Sequence, residues 1–310
     1  MFKKASNNLL GLVFVVLLLV VALLFFFDSG KNERTFREVL VDIDTSAVTQ
    51  MLIFSKANNY QPVKVFKENN KWQVELKNGK TASVSGQKIS QTFSELISIV
   101  PKRLAARNKE KWNEFQVDSA GTQVQIFEGK DLTLDIVIGR FNYQQQPQSI
   151  STYVRLHKDV DVYEVDGFLA LTFNKDADAF RDGTVIKDDF NSWTQLQFDY
   201  PADSSFTLNK LNNKWYVNNI ATDSVKTAAY LRKLSNLSQS KFVDDVRIQT
   251  EQKSMYKLTI SNDKLEFIDV SAYVDSTNYV IISSENPEAK FDGKSFGSTV
   301  FVSNRTFLKQ

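Results

Sequence analysis

Asn70-Lys71-Trp72-Gln73-Val74 recurs as Asn213-Lys214-Trp215-Tyr216-Val217. In both copies asparagine marks a turn, and the strand after it alternates apolar with polar residues, the period of a half-buried strand. Upstream, Thr49-Gln50-Met51-Leu52-Ile53 is echoed by Thr194-Gln195-Leu196-Gln197-Phe198. Downstream, Ser85 is a candidate N-cap, and Ile89, Phe93, Leu96, Ile97 and Val100 follow at helical spacing until Pro101 stops the run. Asp223 takes the place of Ser85 in the second copy, with Leu231 and Leu234 where Phe93 and Leu96 stood.

A further hairpin extends the match. Val124 and Ile126 lead through Glu128-Gly129-Lys130-Asp131 to Leu132, Leu134, Ile136 and Ile138; its counterpart runs Leu258-Thr259-Ile260, Asn262-Asp263, Leu265-Glu266-Phe267. Val162-Tyr163-Glu164 is matched with Val300-Phe301-Val302. One shared pentapeptide is within chance. A common order of turns, helix and hairpins at a spacing of about 140 residues is not, and that unit is too long for a solenoid repeat. The boundaries expected are 47–187 for the first repeat and 191–310 for the second, which ends soon after its last strand.

Ahead of the repeats stands Leu9 to Phe27, nineteen residues with no charge and no proline. At about 1.5 Å per helical residue such a run crosses a bilayer core of roughly 30 Å. Lys3 and Lys4 precede it, no small-x-small pair follows it, and no cysteine lies near it. These features favour a retained anchor over a cleaved signal. The expected plan is a cytoplasmic head 1–8, a transmembrane helix 9–27, a charged tether 28–46, and both repeats outside the cytoplasm. The fold class expected is α+β: an N-terminal transmembrane helix followed by two tandem homologous repeats, each of antiparallel hairpins plus a packed helix. The location is a single-pass protein of the bacterial inner membrane, with its soluble part on the extracytoplasmic side.

Composition removes several chemistries. A chain of 310 residues at net charge +2 carries no global pull toward nucleic acid. With no cysteine it has neither disulfides, thiolate metal ligands nor a cysteine nucleophile. His157 is the single histidine and falls in a turn, so neither a Ser-His-Asp triad nor a two-histidine metal site is available. Gly79-Lys80-Thr81 and Gly293-Lys294-Ser295 imitate a phosphate loop, but the glycine required five positions earlier is Val74 or Glu288. Asn174-Lys175-Asp176-Ala177-Asp178 imitates a calcium loop, with Ala179 and Val185 where Gly and Glu are needed. Turn chemistry and a solvated acidic loop explain these three better. Asp159 and Asp161 are expected to face water.

Lys102, Arg103, Arg107, Lys109 and Lys111 form a basic run, read foremost as a solvated linker. Residues 159–189 lean acidic, and the two stretches could pair. Trp72 and Trp215 alternate in phase with buried aliphatics, which favours core packing over stacking on sugar rings. No catalytic, cofactor-binding or metal-ligating residue is assigned, and no cofactor is expected.

The chain resembles an uncharacterised, domain-of-unknown-function family of bacterial membrane-anchored proteins encoded beside ABC transporters of the gliding-motility type. The resemblance is carried by Lys71-Trp72-Gln73-Val74 and Lys214-Trp215-Tyr216-Val217, by the helix after each, and by Asn113-Glu114-Phe115-Gln116-Val117. Ile136-Val137-Ile138-Gly139, Val162-Tyr163-Glu164-Val165 and Phe180-Arg181-Asp182 add to it. The sequence departs at Glu114-Phe115, where Tyr-Gly is usual, and repeat two lacks an Ile-Gly strand ending. The resemblance implies a structural or accessory role acting through protein contacts beside an ABC-type transporter, not an enzyme. The alternatives are an envelope ligand- or glycan-binding module with an aromatic-lined groove between the repeats, and a carboxylate hydrolase. The expected partners are the membrane, through Leu9 to Phe27, and ABC transporter subunits; no nucleic acid is expected, and a small-molecule ligand is left open.

Overall fold

Alternating apolar residues fold this chain into two large antiparallel sheets. The computed structural model describes Phe14, Val16, Leu17, 37–146, 148–249, 252–274, Thr277 and 279–309. Val48–Phe54 (β1), Pro62–Glu68 (β2), Lys71–Glu75 (β3) and Thr81–Ser83 (β4) form a meander that leads into the helix Gly86–Ile97 (α1). Pro101–Ala106 (β5), Thr122–Glu128 (β6), Asp131–Gln145 (β7), Gln148–Leu156 (β8) and Val162–Asp166 (β9) follow. The sheet order is β4-β3-β2-β1-β6-β7-β8-β9-β5. A short strand, Thr184–Lys187 (β10), leads into the second series: Trp193–Asp199 (β11), Phe206–Leu211 (β12), Lys214–Val217 (β13), Ile220–Ala221 (β14), the helix Ser224–Leu234 (α2), and Asn236–Ser238 (β15). Tyr256–Asn262 (β16), Phe267–Val274 (β17), Tyr279–Ser283 (β18) and Asn286–Asp292 (β19) complete it, in the order β14-β13-β12-β11-β16-β17-β18-β19.

The turns obey local chemistry. Asn69-Asn70 and Asn212-Asn213 all sit at positive φ (48°, 64°, 47° and 61°), the geometry a tight hairpin turn demands and asparagine tolerates. Each helix starts on its cap. The Lys88 amide donates to Ser85 Oγ at 3.3 Å, and the Val225 and Lys226 amides donate to Asp223 Oδ1 at 3.0 and 3.1 Å. Hydrogen bonding by the Lys226 amide, chiefly, holds the Asp223 carboxyl below its usual range. Each helix then lays one face on its sheet: Ile89, Phe93 and Leu96 join the first core, and Tyr230, Leu231 and Leu234 the second.

The fold class differs from the α+β expectation. The protein is mostly antiparallel β-sheet, 44% strand, and α1 and α2 are the described helices longer than one turn. The segment read as a linker after α1 is itself a strand: Pro101 opens β5, where a missing N–H costs nothing at a strand's first residue. No described helix supplies the expected transmembrane span: among the described residues none is long and apolar enough to cross a membrane. Leu9 to Phe27 lies outside the described residues except for Phe14, Val16 and Leu17, as do the head 1–8 and the first nine residues of the tether. The end of that tether is not loose chain. Leu40 is buried in the first core, Val41 and Ile43 pack against it, and the Asp44 amide donates to Glu128 Oε1 at 2.9 Å.

The second series also aligns differently from its reading in sequence. β19, not Val300 to Val302, occupies the sheet position of β9. Val300 ends a single-turn helix, Gly297–Val300, that corresponds to Ala170–Phe173 in the first series. Phe307 and Phe180 are then equivalent, each buried in its own core. In the place of β5, residues 241–243 run beside β19: the Val243 amide donates to the Lys290 carbonyl at 2.8 Å and the Asp292 amide to that of Lys241 at 3.1 Å. β15 pairs with β10 instead, so Val185 and Ile186 lie in the second core.

One difference between the sheets is physical. On the outer face of β7 and β8, Phe115, Val117, Val137, Tyr153 and Val162 form a small core of their own. The segment 112–117 lies so close that a Cβ on Gly139 would meet the Phe115 carbonyl and, at 2.7 Å, Val117 Cγ1. By strand register, the residue equivalent to Gly139 is Tyr273. That explains why the second copy has no Ile-Gly ending.

Candidate functional site: the cleft between the repeats

The chain between the two cores, Phe180 to Gly183, is stitched to both. Arg181 bridges Val84 in antiparallel fashion, and the Asp182 amide donates to the Ser83 carbonyl at 2.6 Å. From the second repeat, the Gln239 amide donates to the Gly183 carbonyl at 2.8 Å and Asn286 Nδ2 to the Asp182 carbonyl at 2.9 Å. Lys88 Nζ, on α1, donates to the carbonyls of Ala179 at 3.0 Å and Arg181 at 2.5 Å. Burial pushes the Lys88 ammonium below its ordinary range; Lys175 adds to that, while the Asp182 carboxylate opposes it.

Above this junction a cleft of about 580 Å³ opens between the β3–β4 hairpin and β19, with a smaller lobe of about 170 Å³ beside it. Arg181 lies at the floor of both, 3% exposed. Its guanidinium stacks on Phe242 at 3.7 Å and pairs with Asp244 at 2.5 Å and Asp178 at 3.2 Å. Asp244 also accepts the Lys290 amide at 3.1 Å, and Lys290 Nζ donates to the Val246 carbonyl at 2.7 Å. Arg181 Nε is buried with no partner among the described residues. A buried donor left unmade costs about 1–3 kcal/mol, a strain the junction carries. Asp176 caps the 3-10 turn Ala177–Ala179 from beneath, accepting the Ala179 amide at 3.3 Å.

The motifs weighed in sequence fall in several places. Gly79-Lys80-Thr81 is the β3–β4 turn and lines the cleft, with Gly79 at φ 75°. Gly293-Lys294-Ser295 is a 3-10 turn capped by Asp292; a Cβ on Gly293 would meet the Tyr279 ring at 2.7 Å, so the glycine serves packing. Within Asn174 to Asp178, Asp178 faces Arg181. His157 Nδ1 lies 3.3 Å from Asp135, which also takes Gln123 Nε2 at 2.7 Å. Asp161 is buried and Asp159 half-buried, against the expectation that both face water. Trp72 and Trp215 are half-buried against their cores, Trp72 edge-on to Phe93 at 5.7 Å. The basic run and the acidic stretch do meet: β5 pairs with β9, Lys102 reaches Asp166 at 2.6 Å, and Arg103 pairs with Glu164. The cleft is not aromatic-lined; Phe242 is the aromatic of its smaller lobe, and the larger mixes polar side chains with Leu76, Ala82 and Ala289. Among the described residues no group of three or more acidic or histidine side chains could hold a metal.

Asp244, Asn286 and Lys290 were not singled out in sequence. The available signal was an asymmetry between the repeat ends, Phe180-Arg181-Asp182 against Phe307-Leu308-Lys309.

Compared with known proteins, the chain matches over residues 72–259 the family model described as a domain of unknown function (DUF4340). That match begins at the tryptophan of β3 and ends in β16, spanning the junction. No curated protein and no solved structure matches.

Proposed function

Starting from the chain's membership of the DUF4340 family, whose function is unknown, we propose an extracytoplasmic accessory protein that acts through protein contacts beside an ABC-type transporter. The observation that carries this reading is the cleft: two sheets of shared topology, locked by Arg181 and Asn286, frame an open surface of mixed polarity that neither sheet has alone. The family resemblance supports the transporter as partner, and the uncharged run Leu9 to Phe27 supports attachment at a membrane. No reaction is assigned to the site. Cross-linking and affinity isolation from native membranes test it. Transporter subunits should co-isolate reproducibly; their consistent absence overturns the proposal. Protease added outside spheroplasts should digest the two repeats, and full protection would reverse the sidedness.

The cavity volume falls within the roughly 300–1,000 Å³ common for ligand sites, which favours a second reading, an envelope small molecule held in the cleft. Thermal stabilisation by a member of a glycan and metabolite library, lost in Arg181→Leu, would select it.

A further inference from the structure

The cleft is walled by two lengths of strand whose ladder pairing is incomplete. β4 is the edge of the first sheet. The Leu76 amide donates to the Lys80 carbonyl, Val74 faces Ala82, and the Val84 amide donates to the Trp72 carbonyl. In an antiparallel ladder that parity turns the N–H and C=O of Thr81 and Ser83 away from β3, toward the cleft. Among the described residues the last of these groups alone has a partner, the Ser83 carbonyl, which accepts the Asp182 amide. On the opposite wall, the register of β19 against β18 slips between Ser283↔Asn286 and Ile281↔Phe291. Residues inside such a slip are left without ladder partners. Glu288 and Ala289 lie in it and line the cleft.

An open edge is ordinarily a hazard, blunted by short length or cover. β14, the equivalent edge of the second sheet, is two residues long. β4 differs because the other repeat stands across from it, turning an edge into a slot. Asp182 already begins a partner strand at the Ser83 end, so an incoming segment would continue that pairing toward Thr81. The charge around the slot also has a sign. The two lobes are lined by four cationic and six acidic side chains, and Arg181 already answers Asp178 and Asp244.

We propose that the slot between β4 and the slipped part of β19 receives an extended segment of a partner protein. The segment adds as a strand to the open edge of β4 and carries a basic side chain toward the acidic lobe at Asp176 and Asp245. Backbone pairing of this kind supplies affinity, and alternate side chains supply selectivity. The inference rests on the reading of the protein as one that acts by contact, and it names the chemistry of that contact.

The test uses the whole chain in detergent against a displayed library of random dodecapeptides. Enriched peptides should carry Lys or Arg and slow amide exchange at Thr81 and Ser83. N-methylation of alternate peptide amides should weaken binding at least tenfold, as should Thr81→Pro, which removes an outward N–H that β3 does not use. If Thr81→Pro fails to fold, the N-methylated peptides give the same information on the native chain. No enrichment, protection elsewhere on the surface, or indifference to N-methylation overturns the slot. Co-isolation of transporter subunits that persists in a folded Thr81→Pro overturns it too, while leaving the accessory reading intact. Stabilisation by small molecules alone also counts against it.

Discussion

Arg155 and Arg181 are both 3% exposed, and each lies flat over an aromatic ring at 3.7 Å, Arg155 on Trp112 and Arg181 on Phe242. Their remaining partners differ in kind. Arg155 gives its hydrogen bonds to neutral backbone: the carbonyls of Val117 at 3.0 Å, Leu156 at 3.2 Å, His157 at 2.7 Å and Asp159 at 3.1 Å. Arg181 gives its own to two carboxylates and keeps one N–H unused. The first arrangement closes a niche inside one repeat. It ties the segment 112–117 to the outer face of β8, and Trp112 Nε1 reinforces it by donating to the Val160 carbonyl at 3.0 Å. Burial lowers the pKa of Arg155, as expected of a cation answered mainly by carbonyls. The second arrangement spans two repeats and leaves an opening. A buried cation among carbonyls fixes one loop; a buried cation among acids from both sides fixes a junction.

The largest expected effect follows from the first arrangement. Arg155→Leu removes the guanidinium donor from four carbonyls; that of Leu156 keeps the Asp159 amide, and each acceptor left both buried and unmet costs about 1–3 kcal/mol. With partial relaxation the loss should be roughly 3–5 kcal/mol, measured as a lowered midpoint in urea at unchanged slope. A loss under about 1 kcal/mol would mean that water reaches those carbonyls and that the niche is not sealed.

A smaller effect comes from the same cover. Gly139→Ala pushes a methyl into the Phe115 carbonyl and should cost about 1–3 kcal/mol by overpacking. At the equivalent site of the other sheet, Tyr273→Ala should stay within about 0.5 kcal/mol, since Tyr273 is only half-buried. Equal losses at both positions would erase the structural difference drawn between the repeats.

These cases also mark what local pattern could and could not tell. The hairpins, the asparagine turns and both helix caps were legible, because each depends on residues a few positions apart; charge sign left the pairing of the basic run with the acidic stretch open beside the solvated-linker reading. The class was misjudged because β5 and β10 carry little alternation. Pro101-Lys102-Arg103 looks like a linker until β9 supplies the carboxylates that make it a strand. Arg155 was invisible for a related reason. A lone arginine between Val154 and Leu156 has the spacing of a solvent-facing residue, and only the distant segment 112–117 covers it. The cleft could not be read at all, since it exists only once two separately patterned sheets are set side by side.

Arg181→Leu should cost less than Arg155→Leu, about 1 kcal/mol, because the acids it abandons keep contact with water, Asp178 half-exposed and Asp244 at 23%. Its effect should appear instead as faster amide exchange at Asp182 and Gly183, with both cores intact. A global loss as large as that of Arg155→Leu would make the junction part of one cooperative core and remove the distinction between the two arginines.

The last difference is silent at neutral pH. The second repeat fastens its C-terminal turns with buried phenols: Tyr230 Oη donates to the Val300 carbonyl at 2.6 Å and Tyr200 Oη to that of Val302 at 2.9 Å. At the position of Tyr200 the first repeat uses Ser55, whose Oγ donates to the Lys175 carbonyl at 2.7 Å and does not titrate. Burial above all pushes Tyr279 up to about 12, and it raises Tyr200 and Tyr230 further. An unfolded tyrosine ionises near pH 10 while these stay neutral in the fold. Their contribution is therefore complete below about pH 10 and is lost as the pH climbs through the folded values. Amide exchange followed from pH 9 to 12 should show α2 and residues 297–307 losing protection before α1 does. Tyr279→Phe, which cannot ionise, should move that loss to higher pH. If both repeats open together and the substitution changes nothing, the phenols are not what separates them.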